Sequence, residues 1–164
     1  MIIYHGSNVV VEHPKILESG RMLDFGTGFY ATSQREQAVK WAARVAERRE
    51  PKSPSLSIYD FDLEAAMQTL DILRFEKPSS EWLDFVCANR NGRKVPKPYD
   101  IVFGPVANDK VYSVVQFYET GVYDREYAIQ RLKVEELFDQ ILFHTEESLK
   151  YCRFISCEAL GGLI

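Results

Sequence analysis

Several features that would assign a chain to a special class are absent or scarce here. The sequence has three cysteines, Cys87, Cys152 and Cys157, and no CxxC pair. An odd number without paired spacing argues against a disulfide framework and a cysteine zinc site, so we expect buried, reduced thiols. None of the histidines has a partner at a metal-ligand spacing such as HxxxH, and we predict no metal centre.

Long hydrophobic runs and basic tracts are also missing. No apolar run approaches the roughly 20 residues that a membrane helix requires. The first residues, MIIYHGSNVVVEHPK, have no basic start, no long apolar core and no small-residue cleavage site. We therefore expect no signal peptide, no membrane partner and a cytoplasmic location. The net charge of −4 argues against broad binding to nucleic acid, which relies on a cationic surface.

The motifs of common nucleotide-binding and hydrolase folds do not occur. There is no GxGxxG after the first predicted strand, no GxxxxGK[ST] and no GxSxG. Rossmann, P-loop and serine-hydrolase folds are therefore disfavoured.

What the chain does contain is enough material for one core. Its 164 residues are 46% hydrophobic and 13% aromatic, which fits one globular domain, taken as residues 1–160. Strands and helices alternate without a regular βαβ rhythm, so we predict an α+β domain. We expect strands over Ile2–Tyr4, Phe29–Thr32, Ser57–Leu63, Ile101–Phe103, Gln140–Thr145 and Arg153–Cys157. We expect helices over Pro14–Ser19, from a Ser33–Glu36 capping box to about Arg49, over Ser80–Arg90, after an Asn108 cap, and over Asp124–Leu132 and Glu146–Tyr151.

The first segment with chemical potential is Tyr4-His5-Gly6-Ser7, at the end of an apolar strand. A glycine after the histidine leaves room for a ligand to approach the backbone, and the imidazole and hydroxyl supply polar contacts. Taken alone, however, a histidine at a strand end is more often a hydrogen-bonded structural residue.

The second segment is Gly26-Thr27-Gly28-Phe29-Tyr30, which leads into the helix that carries Trp41. Two glycines beside an aromatic strand suggest a backbone shaped around a flat ligand, which Tyr30 and Trp41 would sandwich. The alternative is that Trp41 belongs to the apolar face of the helix with Ala38 and Ala42, and periodicity alone favours this core role.

The third segment is Asp139-Gln140-Ile141-Leu142-Phe143, in which a polar side chain opens a strand, a position from which it could face a cleft. On its own, Gln140 is better explained as a solvent-exposed strand terminus.

Taken together, the three segments resemble a known family. Tyr4-His5-Gly6-Ser7, followed by Ile16-Leu17 and Gly20, looks like the first motif of ADP-ribosyltransferases of the diphtheria toxin and poly(ADP-ribose) polymerase type. Gly26 to Tyr30 is similar to their Gly-x-Gly-Ile-Tyr segment, with Trp41 at the spacing of a second aromatic residue. Gln140-Ile141-Leu142-Phe143, with Leu149-Lys150-Tyr151 downstream, resembles their last motif, where a Glu opens the strand.

The resemblance implies a fold and a set of residue roles. The fold would have two small packed β-sheets with flanking helices and an NAD⁺ cleft between them. His5 would bind the adenosine-side ribose, and Gly6 the nicotinamide carboxamide, with Ser7 alongside. Gly28 would border the cofactor, Tyr30 and Trp41 would stack on nicotinamide, and Gln140 would hold the 2′-hydroxyl of the nicotinamide ribose. His5, Tyr30 and Gln140 would form the catalytic set, with NAD⁺ as substrate and no metal.

Two departures from the family pattern bear on the activity. Gln140 stands where the polymerases have Glu, so it accepts a hydrogen bond without the charge that stabilises a cationic transition state. The segment between Gly20 and Gly26 is shorter than the polymerase loop that covers the dinucleotide. We therefore predict mono-transfer to a macromolecule, with a degenerate NAD⁺- or ADP-ribose-binding domain and an NAD⁺ glycohydrolase as the alternatives.

The resemblance also extends to an uncharacterised bacterial family with this fold, some members of which occur in toxin–antitoxin-like gene pairs. It implies an intracellular toxin, a protein acceptor in preference to nucleic acid, and an antitoxin-like protein partner.

Overall fold

Two small β-sheets, in which most strand pairs are antiparallel, form the framework of the chain. The computed structural model describes residues 1–17, 23–93, 97–106, 109–133 and 138–161. The strands are β1 (Ile2–Ser7), β2 (Phe29–Ala31), β3 (Ser55–Phe61), β4 (Ile72–Arg74), β5 (Ile101–Pro105), β6 (Asp139–Phe143) and β7 (Cys152–Ala159). One sheet has the order β1-β3-β7 and the other β2-β6-β5-β4, in which only the β4–β5 pair is parallel.

Helices follow or separate these strands. They are α1 (Arg35–Arg48), α2 (Leu63–Thr69), α3 (Ser80–Arg90), α4 (Asp109–Glu119), α5 (Arg125–Leu132) and α6 (Glu146–Leu149). The mixture of helices and two small sheets confirms the predicted α+β class. Among the described residues, no helix has the length and apolar character needed to cross a membrane.

The two sheets pack face to face around an aromatic core. Ile3, Tyr59 and Phe61 from the first sheet meet Phe29 and Phe143 from the second. The outer face of the first sheet is covered by α1, through Ala38 and Ala42. The outer face of the second sheet carries Val102 and Leu142, which pack against residues of α3, α4 and α5. Because side chains alternate between the two faces of a strand, the second sheet contributes residues to two cores, one on each of its faces.

The sheets meet where β1 runs beside β2. The N–H of Tyr4 donates to the carbonyl of Thr32 at 2.8 Å, and the N–H of Thr32 donates to the carbonyl of Tyr4 at 3.0 Å. This bridge between the sheets places the first two predicted motifs next to each other.

Several sequence-based expectations are wrong in detail. Pro14, Ile16 and Leu17 are not helical, and the rest of the helix predicted over Pro14–Ser19 lies outside the described residues, as does the Asn108 cap. Ser57–Leu63 is divided, because Asp62 caps α2 through the N–H of Ala65 and ends the strand at Phe61. Both α2 and β4 were missed.

The predicted capping box at the start of α1 is also absent. The N-cap residue is Gln34 and its side chain makes no capping bond. Beside it, the Asp139 carboxylate from the neighbouring sheet accepts from the N–H of Ser33, the residue before the N-cap, at 3.1 and 3.2 Å.

The three cysteines are unpaired, and the expectation that they are buried is wrong for each of them. Cys87 and Cys152 are half-buried, and burial raises the pKa of each thiol to about 12. Cys157 is exposed because β7 is an edge strand whose outward residues face solvent.

Candidate functional site

The first predicted segment lies along the edge of β1 that faces β2. Antiparallel strands bond through alternate residues. Because the N–H and C=O of Tyr4 bond Thr32, the same groups of Gly6, two residues on, point to the β2 side and away from β3. The Gly6 peptide therefore faces the junction between the sheets. Ser7, the last residue of the strand, is half-buried, and its hydroxyl donates to the Oδ1 atom of Asn8 at 3.5 Å.

Gly6 also has a packing role that needs no ligand. A Cβ atom at this position would lie 2.0 Å from the carbonyl oxygen of Ala38 and 2.8 Å from the nitrogen of Ala42. Both are backbone atoms of α1, so only glycine lets the helix approach the strand this closely.

His5 joins the first segment to the second. Its Nδ1 atom lies 2.7 Å from the carbonyl oxygen of Tyr30, and its ring packs against Phe29 at a centroid distance of 4.5 Å. Burial lowers the pKa of His5, partly offset by the bond to Tyr30, so the ring is neutral at pH 7. Because a carbonyl only accepts, the proton is assigned to Nδ1, and Nε2 is left as a hydrogen-bond acceptor.

Tyr30 is less open to a ligand than the sequence suggests. Its ring packs into the core beneath α3–α5, and its hydroxyl donates to the carbonyl of Gly26 at 2.7 Å. The N–H of Phe25 donates to the same hydroxyl at 3.3 Å. Burial raises the pKa of Tyr30, so the phenol stays protonated. The hydroxyl thus holds the preceding loop.

Gly28 lies against β6 and, like Gly6, is required for close packing. A Cβ atom here would lie 2.2 Å from the carbonyl oxygen of Phe143 and 2.6 Å from a methyl group of Leu142. The sequence suggested a backbone shaped around a ligand, but the atoms that Gly28 accommodates belong to the protein.

Trp41 is half-exposed, with 50% of its surface accessible, so the core role favoured by periodicity is wrong. It lies one helical turn beyond Gln37, on the same flank of α1. The Nε2 atom of Gln37 donates to the backbone carbonyl of Asp139 at 3.5 Å, which shows that this flank faces the start of β6. An indole ring is therefore presented beside the third motif.

Gln140 is buried, so its interpretation as an exposed strand terminus is wrong. Only 7% of its surface is accessible, and within the described part of the chain its Nε2 atom has no hydrogen-bond partner. It shares the face of β6 that carries Leu142, and Leu142 pairs with Tyr30. Gln140 and Tyr30 therefore lie on one face of the sheet, in neighbouring strands.

The structure brings some of the predicted residues together and keeps others apart. His5 contacts the Tyr30 backbone, Tyr30 and Gln140 share a face, and Trp41 flanks the start of β6. His5 itself packs against Phe29, a residue of the core between the sheets, and among the described residues no hydrogen bond joins it to Gln140. Tyr30 and Trp41 do not face each other as an open pair.

Asp139 is the main residue of this region to which sequence reasoning gave no role. Its carboxylate accepts from the hydroxyl of Thr32 at 2.7 Å and from the N–H of Ser33, while the Thr32 oxygen accepts from the N–H of Gln34 at 3.1 Å. Its position directly before Gln140 was visible in the sequence, but its partners are more than 100 residues away.

A surface cleft of about 340 Å³ opens beside these residues. It is lined by Ser33, Gln34, Gly104, Pro105 and Asp139, together with Phe75, Phe103 and Phe138 and the charged groups of Met1, Arg74, Glu76 and Lys77. Gly104 is the cross-strand neighbour of Gln140. A second cleft, of about 370 Å³, lies between Ser80 and α5, away from the predicted residues. Within the described part of the chain, no three side chains are grouped so as to hold a metal ion.

Comparison with known proteins identifies a family for this sequence. Residues 1–154 match the family described as Protein of unknown function (DUF3990), and the chain belongs to it. No curated protein and no solved structure matches the chain.

Proposed function

We propose that this member of the DUF3990 family is a mono-ADP-ribosyltransferase that binds NAD⁺ at the junction of its two sheets. The proposal rests on the three motifs that resemble ADP-ribosyltransferases and on the positions of their residues. His5, Tyr30 and Gln140 form the catalytic set, with Gly6, Ser7, Gly28 and Trp41 around the dinucleotide. The two-sheet framework is compatible with the ADP-ribosyltransferase fold that the motifs imply.

The observation that carries the proposal is the buried Nε2 atom of Gln140, which has no hydrogen-bond partner among the described residues. A buried polar group without a partner costs about 1–3 kcal/mol, so such groups are rare unless a ligand or water satisfies them. Gln140 is in this condition at the position where the third motif expects contact with a ribose hydroxyl. A hydroxyl both donates and accepts, and two neighbouring ribose hydroxyls would satisfy both ends of the amide.

The neutral form of His5 is able to accept a hydrogen bond from a ribose hydroxyl. Its neutral ring, with Nδ1–H directed to the Tyr30 carbonyl, leaves Nε2 to accept from a hydroxyl. A protonated histidine would have no acceptor to offer. The burial that lowers its pKa therefore maintains the binding form at neutral pH.

Nicotinamide would be held by the walls of the junction. The Gly6 N–H and C=O match the acceptor and donor of a carboxamide, with the Ser7 hydroxyl alongside. Trp41 supplies an exposed indole for stacking, and Tyr30, once the preceding loop moves, supplies a second ring. Gly28 keeps the backbone beneath them close to β6.

The chemistry requires positioning more than acid catalysis. The bond between the nicotinamide nitrogen and ribose C1′ breaks, its electron pair leaves with nicotinamide, and the ring departs neutral. Positive charge spreads over C1′ and the ribose oxygen, as in glycoside hydrolysis. The acceptor nucleophile bonds to C1′ and releases its proton to water. The Gln140 Oε1 atom, by accepting from the 2′-hydroxyl, stabilises the developing charge.

The neutral amide of Gln140 limits the reaction. Without a carboxylate the site stabilises a cation less strongly, which favours a single transfer to a macromolecule over chain elongation. A protein acceptor, a cytoplasmic location and an antitoxin-like partner belong to the same proposal.

The decisive experiment incubates the purified protein with labelled NAD⁺, alone and in lysate. We expect label on a macromolecule in the lysate. Free ADP-ribose without a modified product would identify a glycohydrolase, and absence of turnover with retained NAD⁺ binding would identify a degenerate binding domain.

Variants of Gln140 test the assigned role directly. Gln140→Ala should lower the transfer rate by about 10²-fold, the size of effect seen for single preorganised stabilisers, and leave the NAD⁺ dissociation constant within a few fold. Gln140→Glu should retain or raise activity. Gln130→Ala, which removes the same side chain from the exposed surface of α5, is the matched control. Equal rates for wild type and Gln140→Ala would mean that the third motif has been misplaced.

A further inference from the structure

Two buried side-chain atoms of the described residues lack hydrogen-bond partners, Nε2 of Gln140 and Nη1 of Arg90. They belong to different elements, β6 and the end of α3. Residues 23–28, here termed the Phe25 loop, contact the surroundings of both. Each unpaired group disfavours the observed arrangement, which indicates that a partner other than the Phe25 loop would satisfy them better.

One end of the Phe25 loop covers the surroundings of Gln140. Phe25 is fully buried, and its ring packs against Phe75 and Phe85 at centroid distances of 6.3 and 5.9 Å. A Cβ atom on Gly104 would lie 2.8 Å from the tip of the Phe25 ring. Gly104 pairs with Gln140, so the Phe25 ring lies beside the amide on the same face of the sheet.

The other end of the Phe25 loop is held by charge. The Asp24 carboxylate accepts from Nε of Arg90 at 2.7 Å, and both side chains are nearly buried, with 12% and 13% of their surfaces exposed. The guanidinium lies 4.4 Å over the ring of Tyr112, which fixes its plane. Arg90 thus has one anionic partner and an unused Nη1 in a dry, aromatic-walled setting.

Phe25 and Asp24 place an aromatic ring beside a negative charge, and a nucleotide carries the same two features in its base and its phosphate. Guanidinium groups bind phosphate in the same bidentate way as carboxylate. We propose that the Phe25 loop occupies the ligand site itself, with Asp24 in place of a phosphate on Arg90 and Phe25 in place of an aromatic ring beside Gln140. The site assigned to Arg90 takes the diphosphate of a dinucleotide, and naming NAD⁺ as that dinucleotide rests on the proposed function.

Displacement of the loop satisfies both unpaired atoms. Phosphate oxygens pair with Nη1 of Arg90, and ribose hydroxyls pair with the Gln140 amide. The loop is also held by neutral hydrogen bonds, among them those from the Tyr30 hydroxyl to Gly26 and from the Phe25 N–H to Tyr30. The His144 imidazole bonds the backbone of Phe25 and Thr27 as well. Because only the open fraction of molecules binds, the closed loop weakens the apparent affinity by that fraction.

Opposite substitutions of one ion pair test the proposal. Asp24→Asn removes the internal anion and should lower the dissociation constant for NAD⁺ about tenfold, since more molecules are open. Arg90→Gln breaks the same pair but removes the phosphate ligand, and should raise the constant about tenfold or more. Asp84→Asn, which breaks the exposed Asp84–Arg125 pair, should leave it unchanged.

If the Asp24–Arg90 pair were merely structural, both substitutions would shift the dissociation constant for NAD⁺ in the same direction. That result, or no shift for either variant, overturns the inference. The proposed function still stands in that case, provided that the wild-type protein binds NAD⁺. If neither wild type nor Asp24→Asn binds NAD⁺, the proposed function fails and this inference fails with it.

Hydrogen exchange on wild type gives a test that does not depend on the variants folding. The N–H of Phe25 is bonded to Tyr30 and that of Gly26 to the carbonyl of Leu23 at 3.1 Å. We expect saturating NAD⁺ to speed exchange at these two amides, although ligands generally slow exchange where they bind. Slower exchange at both amides would overturn the inference.

Discussion

Single glycines determine how closely the helix α1 approaches the first sheet. At Gly6 an added methyl group would meet the backbone of Ala38 and Ala42, neither of which can move without shifting the helix. We therefore expect Gly6→Ala to lower the free energy of unfolding by about 1–3 kcal/mol, the usual cost of overpacking. Urea unfolding followed by circular dichroism measures this change.

Gly161→Ala provides the control for this prediction. Nothing lies within 4 Å of a Cβ atom at that position, so the urea midpoint of unfolding of Gly161→Ala should match that of wild type. Equal midpoints for Gly6→Ala and wild type would show that α1 does not pack on β1 as described.

The residues of the candidate site were predictable to different degrees. Short motifs identify His5, Gly6 and Gln140 as candidate residues. These residues lie near the sheet junction because β1 runs beside β2 and β2 pairs with β6. Their surroundings were not predictable. The burial of Gln140 depends on Phe25, more than 100 positions earlier in the chain, and no local pattern records a contact of that range.

The start of α1 depends on a residue from another element. Asp139 accepts from the hydroxyl of Thr32 and the N–H of Ser33, and so places a negative charge at the positive end of the helix dipole. Asp139→Ala should lower the free energy of unfolding by about 1–2 kcal/mol, as for the loss of a good N-cap. Chemical denaturation is the measurement.

Gln34→Ala is the matched comparison, because Gln34 is the formal N-cap and its side chain makes no capping bond. It should change the free energy of unfolding by only a few tenths of a kcal/mol. A larger loss for Gln34→Ala than for Asp139→Ala would contradict the role assigned to Asp139 at the start of α1.

The same helix shows why some elements were predictable and others were not. The length of α1 follows from the spacing of Ala38, Ala42 and Ala46, which all face the sheet. The capping box was wrong because the helix begins one residue later, with Gln34 and not Ser33 as its N-cap. The short elements α2 and β4 were missed because seven and three residues are too few to show a period.

At the scale of the whole molecule, the candidate site lies where the two sheets meet. One bridge, Tyr4 to Thr32, joins the two sheets there. The α+β class followed from the irregular order of strands and helices, but which strands pair did not, since β2 lies beside β6 and β1 beside β3. Pairings of this range are set by the shared aromatic core and not by local propensity.

Two histidines make the stability of this assembly depend on pH. Burial lowers the pKa of His5 and of His144 below the ordinary value of 6.5 in the folded protein. Below pH 6.5 the unfolded chain therefore binds more protons than the folded one, and the free energy of unfolding falls as the pH falls. The slope is limited to about 1.4 kcal/mol per pH unit for each histidine.

Urea unfolding at pH 7.5, 6.5 and 5.5 should show a nearly constant free energy of unfolding above pH 6.5 and a decline below it. The buried imidazoles cause the decline, so the double variant His5→Gln, His144→Gln should have a flatter profile whatever its absolute stability. His13→Gln removes an exposed imidazole and should retain the wild-type profile. The pKa values of Asp60 and Glu81 are lowered too, chiefly by hydrogen bonds, but from ordinary values of 3.8 and 4.5, so their effect begins at lower pH. A wild-type profile that is level between pH 6.5 and 5.5, or one that the double variant reproduces, would mean that neither imidazole is buried in the neutral form, and the acceptor role assigned to Nε2 of His5 would lose its basis.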